Sequence, residues 1–268
     1  MLNESDTIFQ ELQQRLGQGI QIDALPDTVI NRCYRVRQGA TRYFLKCFNT
    51  ATAPRLDRQA LFEQQTLLAR QGMACMPVYL SAQHDFQLDT WVDSATLANS
   101  ALSRQQKCQR LASTLATIHQ LQVPLQKLDL AADWQHYLTL TGQPAELAYE
   151  GELGAMLSFW QQESQQDCVV CHNDLALSHV TEAPCSIIFD WEYSALASPF
   201  FDLASCITIN QLNAAEQSIL VDEYANSRSI AANIVKQKVA LMLPLVAKTY
   251  ELWSLAYGAS APKNALVG

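Results

Sequence analysis

Cations are scarce in this chain. Against 26 Asp and Glu it carries 18 Lys and Arg in 268 residues, a formal charge of −8, and no basic run concentrates them. Binding along a phosphate backbone needs clustered Lys and Arg, so nucleic acid is not an expected partner. Long apolar runs are also missing. The longest, residues 239–247, is interrupted by Pro244 and reaches only about half of the ~20 residues that a membrane helix needs. The first residues, MLNESDTIFQELQQRL, hold acidic side chains and no apolar core, unlike a secretory signal. A cytoplasmic protein without a membrane partner is the expectation. Charged residues make up only 16% while 49% are apolar, which excludes a disordered chain and leaves ample material for a core.

Two further absences concern chemistry. The chain has eight cysteines but one CxxC, Cys168 and Cys171, with no second pair or His pair at ligand spacing. In an extended segment these two side chains point to opposite faces, so reduced, packed thiols are expected rather than a zinc or redox pair. Residues 25–30 (LPDTVI) contain no glycine, although phosphate-cradling loops usually use Gly to bring backbone N–H groups close.

The most informative stretch runs from Cys168 to Tyr193. Two short aliphatic runs, Val169-Val170 and Ile187-Ile188-Phe189, each deliver polar residues: His172-Asn173-Asp174 and Asp190-Trp191-Glu192-Tyr193. Both runs are expected as strands. A carboxylate at a strand mouth can take a hydroxyl proton, and a second one sixteen residues later can hold a divalent cation. That pairing suits phosphoryl transfer, in which a protein mainly positions groups and neutralises charge.

These motifs carry a resemblance. HNDL at residues 172–175, IIFDWEY at 187–193 and PFFDL at 199–203, in that order, resemble the choline/ethanolamine kinase and thiamine kinase branch of the aminoglycoside phosphotransferase-like group, which shares the protein-kinase-like fold. The likeness spans roughly residues 20–210. It implies a two-lobed α+β fold, with an antiparallel sheet and one main helix in a nucleotide-binding lobe (1–93) and a larger, mostly helical catalytic and substrate lobe (94–268). It also implies ATP and Mg²⁺ as cofactors and a small-molecule alcohol, cationic in the choline-like case, as substrate.

Residue by residue, the resemblance makes Asp174 the group that orients or deprotonates the alcohol and Asp190 the metal ligand. Glu192 would support that metal shell or touch substrate, and His172 and Asp202 would be scaffold. The fifth residue after the catalytic Asp is usually a metal-binding Asn in this group, but here it is His179. Imidazole favours softer ions, so Mn²⁺ becomes an alternative to Mg²⁺, and a catalytically weak binding module becomes the alternative to an active kinase.

The remainder of the chain reads in order. Residues 7–16 have helical spacing and stop at Gly17; residues 31–48 read as a hairpin around Gly39; residues 55–70 read as a helix ended by Gly72. By periodicity alone Lys46 is an edge-strand lysine and Glu63 a solvated helix residue. The resemblance instead makes Lys46 the phosphate-gripping lysine, Glu63 its ion-pair partner, and Thr28 and Asn31 substitutes for the missing glycines. Residues 76–80 and 85–92 alternate as strands, with a hinge implied near Asp93. A long helix spans 102–121 and carries His119, a hydrogen-bonded core residue by expectation. Helical stretches follow at 134–140 and 145–161. Tyr250, Trp253 and Tyr257 share one face of a late helix. Such a stripe is either core or, as in choline-kinase-like proteins, an aromatic wall for a cation. Spacing cannot select the substrate or the oligomeric state.

Overall fold

The computed structural model describes residues 7–26, 31–49, 56–163, 168–182 and 186–258. The chain forms two compact units, Met1–Asp93 with Ile187–Phe189, and Ser94–Ser186 with Asp190–Gly268.

The first unit begins with α1 (Thr7–Leu16), which buries Phe9 and Leu12 on one face. A five-stranded antiparallel sheet follows in the order β1-β2-β3-β5-β4, formed by Gln21–Ala24, Arg32–Gln38, Thr41–Cys47, Phe86–Thr90 and Pro77–Leu80. Period-two alternation decides what each face carries. Tyr34 pairs with Leu45 and Leu45 with Leu88, and this row packs with Phe9, Leu12, Val36 and Phe86 into one core. Fully burying one such leucine contributes about 1.5–3 kcal/mol. The opposite face carries Cys33, Lys46 and Gln87, again in register across three strands. Helix α2 (Arg58–Arg70) lies on that face, tied to it by Gln65. It is capped by the Asp57 side chain, which accepts from Ala60 N.

One expectation needs correction here. The run Ile187–Phe189 is not a strand: only Ile188 makes an isolated bridge, and its N–H donates to the Met73 carbonyl at 2.8 Å. Three apolar residues suit a strand equally well as a short extended contact, and length decided the matter. The 145–161 stretch is helical, as expected, in two pieces. It forms a single 3₁₀ turn (Ala145–Tyr149) and then α5 (Gly151–Glu163), with Gly154 under the Tyr149 carbonyl where any Cβ would collide.

The second unit is mostly helical. Helix α3 (Arg104–Ile118) opens with a capping box between Ser103 and Gln106. Helix α4 (Leu130–Leu140) starts four residues before Trp134, capped by Asp129. Strands β6 (Val169–Cys171) and β7 (Ala195–Ala197) form a small antiparallel pair. Then come α6 (Pro199–Ile209), which is buried around nearly its whole circumference, α7 (Ala214–Arg228) and α8 (Ala232–Tyr257). By length and composition α8 could cross a membrane. It nevertheless contains Pro244 and packs against α4, α6 and α7.

Candidate active site

Strand β6 delivers the chain into the loop from His172 to His179, and a buried carboxylate shapes that loop. Asp202, fully buried on α6, accepts from His172 N at 2.7 Å and from Asn173 N at 2.8 Å. Its Oδ2 also accepts from His119 Nε2 at 3.1 Å, and His119 Nδ1 meets the Tyr224 hydroxyl at 2.8 Å. Burial alone would raise the Asp202 pKa. The hydrogen bond from His119, the charges of His119 and His172 and the His172 N–H outweigh it and leave the carboxyl below its ordinary value. Asp202 is thus scaffold, but as the brace of a loop; the cap of α6 is Ser198, which accepts from Phe200 N. His119 is the hydrogen-bonded core histidine expected from its position.

The brace holds Asn173 at φ 61°, a left-handed conformation that Asn tolerates better than most residues. Ser205 Oγ donates to the Asn173 carbonyl at 2.6 Å, and Asn173 Nδ2 donates to the Tyr193 carbonyl at 3.0 Å. His172 is buried; its Nδ1 accepts from Asp174 N at 3.2 Å, and its ring packs on Trp191 at 4.8 Å between centroids. Asn210 closes the far side, accepting from Leu177 N and donating to the Leu175 carbonyl.

This loop brings together three of the residues singled out from the sequence. Ligand atoms of Asp174, His179 and Asp190 all lie within 4.8 Å of one another. His179 Nδ1 lies 2.8 Å from the Asp174 carbonyl oxygen. A carbonyl only accepts, so Nδ1 carries a proton, and in the neutral form of the ring the lone pair is then on Nε2. That nitrogen is 3.8 Å from Asp190 Oδ2, inside the ~4.2 Å limit for two ligands with bonds of about 2.1 Å to one ion. Histidine ligands commonly fix their tautomer through such a bond to a carbonyl. Two partly exposed carboxylates and an oriented imidazole therefore fit a divalent cation. Asp190 itself sits at φ 63°, heading the turn Trp191–Tyr193. A non-glycine residue in that region costs about 1–3 kcal/mol and is held there by its surroundings.

Beside these groups lies an aromatic cluster. Trp253 Nε1 donates to the Tyr193 hydroxyl at 3.0 Å, and the Trp253 ring lies 6.1 Å from Tyr250 and 5.4 Å from Tyr257. Tyr137 joins through Tyr257 at 6.1 Å. Burial, then the charge of Asp174, pushes the Tyr250 phenol up. Burial, Tyr137, Glu192 and Asp174 do the same for Tyr193. The Asp174 carboxylate therefore bears on two rings of the cluster, and Glu192 on one. Residue-by-residue reading singled out Trp253 and its stripe but not Tyr137 or Tyr193. Tyr193 stood inside the DWEY motif, while no local pattern marks Tyr137.

Lys46 and Asn31 lie in the first unit. Lys46 is half-buried on β3, directly opposite Gln87, and Asn31 is buried just before β2. Thr28 falls outside the described residues. The expected Lys46–Glu63 ion pair is not made. Glu63 is on the exposed side of α2 and accepts from Gln59 at 2.7 Å. The helix presents Gln65 to the sheet instead. Cys168 and Cys171 are thiols outside any disulfide, Cys171 buried against the carbonyls of Ala197 and Ser198.

This chain belongs to the phosphotransferase enzyme family. The model of that family matches residues 21–233, most of the chain and all of the loop just described. Two forms of protein LicA of Haemophilus influenzae are 23% identical over 193 residues, 69% of this chain; the matched part spans 57% of one relative's length and 72% of the other's. Among solved structures, choline kinase LicA from Streptococcus pneumoniae superposes with a TM-score of 0.73 at 18% identity, covering 94% of this chain and 92% of that one. A structure of LicA in complex with AMP gives 0.74 at 18% identity, covering 98% and 95%. The fold is thus the two-lobed α+β fold of these phosphotransferases.

Proposed function

We propose that this chain is a small-molecule kinase that transfers the γ-phosphoryl group of ATP to the hydroxyl of a small cationic alcohol of the choline or ethanolamine type. What supports the reading is that ligand atoms of Asp174, His179 and Asp190 lie within 4.8 Å of one another, while the Asp174 charge bears on Tyr193 and Tyr250 of the aromatic cluster. In this reading the first unit binds nucleotide, with Lys46 on the phosphates and Asn31 beside them, and the second unit carries chemistry and substrate.

Asp174 accepts the hydroxyl proton as the alcohol oxygen attacks the γ-phosphorus; the bond to the bridging oxygen breaks and ADP leaves. Asp190 and His179 would hold the divalent cation, which neutralises charge on the transferred group when bound. Mg²⁺ prefers oxygen donors, whereas Mn²⁺ accepts the Nε2 of His179 readily, so both ions belong in the assay. Tyr193, Tyr250 and Trp253 offer ring faces to an ammonium group and Glu192 offers a negative charge. Thiamine, whose thiazolium is also cationic, fits the same cluster. The reaction needs neither nucleic acid nor a membrane, and a cytoplasmic enzyme is the consistent location.

The test is ADP release from ATP with choline, ethanolamine, thiamine and an aminoglycoside, each with Mg²⁺ and with Mn²⁺, beside Asp174→Asn. Substrate-dependent release that the variant loses is the expected result. Release from none of them, in a protein that ATP still stabilises thermally, would replace the kinase with a nucleotide-binding module, the reading that His179 in the asparagine position favours.

A further inference from the structure

The first unit raises a question that the loop does not answer: which group sets the Lys46 ammonium, given that Glu63 faces away. Helix geometry makes the outward direction of Glu63 unavoidable. Gln65 is two residues further on, roughly 200° around the helix, and Gln65 is held inward. Its Oε1 accepts from Gln87 Nε2 at 2.9 Å, while its own Nε2 donates to the Cys75 carbonyl at 3.1 Å. Leu68, three residues after Gln65, is fully buried on the same side. No rotation of α2 brings Glu63 to the sheet without breaking both contacts.

The sheet supplies another carboxylate. Asp89 follows Gln87 by two residues on β5, so the two share a face, and Gln87 is the direct cross-strand partner of Lys46. Asp89 is therefore the diagonal neighbour of Lys46. Cβ atoms in such pairs are roughly 7 Å apart, within reach of a lysine side chain. Asp89 is 6% exposed and accepts from Gln87 Nε2 at 2.7 Å. A buried carboxylate is tolerated only with donors and a counter-charge. Gln87 gives a donor without charge. Arg35, Arg37 and Arg42 share this face but pair with Asp23 and Asp93, and Lys46 is the cation diagonal to Asp89. Arg58, the buried cation of α2, sits over the Phe48 ring at 3.8 Å. The Cys75 thiol reports both charges: after burial, Asp89 pushes it up and Lys46 pulls it down.

We propose that Asp89 is the positioning residue for Lys46, holding its ammonium for the nucleotide phosphates in the place of the helix glutamate. The Gln65–Gln87–Asp89 chain then links α2 to the lysine through two neutral amides. This inference rests on the phosphate-binding role of Lys46 given above.

The experiment uses the full-length chain with Asp89→Asn, Glu63→Gln and Lys46→Ala. The first two changes keep side-chain shape and the hydrogen-bonded amides. Acylation of Lys46 by an amine-reactive ester at fixed pH is read on its peptide by mass spectrometry. Loss of a neighbouring carboxylate frees the amine, so Asp89→Asn should raise the rate severalfold while Glu63→Gln leaves it unchanged. In steady-state assays Asp89→Asn should raise KM for ATP about tenfold, with KM for the alcohol unmoved, which a general loss of folding would not do. An unchanged acylation rate in Asp89→Asn, or an equal rise in Glu63→Gln, overturns the pairing. If the wild type neither turns over nor gains protection of Lys46 from added ATP, the nucleotide role fails. The acylation comparison then still decides the Lys46–Asp89 pair.

Discussion

His179 donates its Nδ1 proton to the backbone carbonyl of Asp174, at 2.8 Å, and so aims Nε2 at the Asp190 carboxylate. The residue that departs from the family pattern is therefore not adrift in the site. It is oriented by the same residue that is proposed to take the substrate proton.

The ion preference should follow from that orientation. His179→Asn replaces a nitrogen donor by an amide oxygen, so the ratio of Mn²⁺- to Mg²⁺-supported kcat should fall, by roughly tenfold, chiefly through faster turnover with Mg²⁺. Parallel assays with the two ions check it. A fall with both ions would instead give the imidazole a role that asparagine cannot fill.

Asp174→Asn keeps the size of the side chain and removes its basicity. Turnover should drop by about 10²–10⁴, the usual contribution of a positioned acid–base group, while ATP still shifts the melting temperature as in wild type. Retained turnover would remove Asp174 from proton transfer.

The aromatic cluster predicts discrimination among substrates. Trp253→Ala removes a ring face and the donor to Tyr193. KM for a quaternary ammonium alcohol should rise roughly 3- to 30-fold, corresponding to ~0.5–2 kcal/mol of cation–π contact. A neutral alcohol of similar size should be affected far less. Equal effects on both would mean the ring packs without reading charge.

Asp202 predicts the acid side of the stability curve. Its carboxyl is held below the ordinary value in the folded state, so its contribution is complete above the unfolded value near ~4 and is lost as pH falls through the folded one. Denaturant midpoints should therefore decline more steeply toward pH 3 in wild type than in Asp202→Asn. At neutral pH Asp202→Ala should cost about 3–5 kcal/mol, because the buried N–H groups of His172 and Asn173 and the His119 ring lose their acceptor.

Local pattern made much of this molecule legible. Helix α1 is bounded by its apolar spacing and Gly17, and the β2–β3 hairpin by alternation around Gly39, because each element is specified by residues within a few positions. The HNDL and DWEY segments could likewise be seen as neighbours, since two aliphatic runs led into them. What escaped depends on direction or distance. Periodicity places Glu63 on a helix but does not say which side meets the sheet; that is decided by Gln65 bonding Gln87 on another element. Tyr137 reaches the aromatic cluster from α4, more than a hundred residues before Tyr257, and nothing nearby announces it. Ile187–Phe189 was too short for composition to separate a strand from a single bridge.

The brace at Asp202 also has a consequence for how the protein comes to life. The loop that carries Asp174 takes its shape from a carboxylate 30 residues later, which is itself held by a histidine 83 residues earlier. Helices of this unit can form from local contacts within microseconds, but contacts that close such long spans form slowly. During refolding, helical signal should return well before catalytic competence, which waits until α6 has docked beneath the loop.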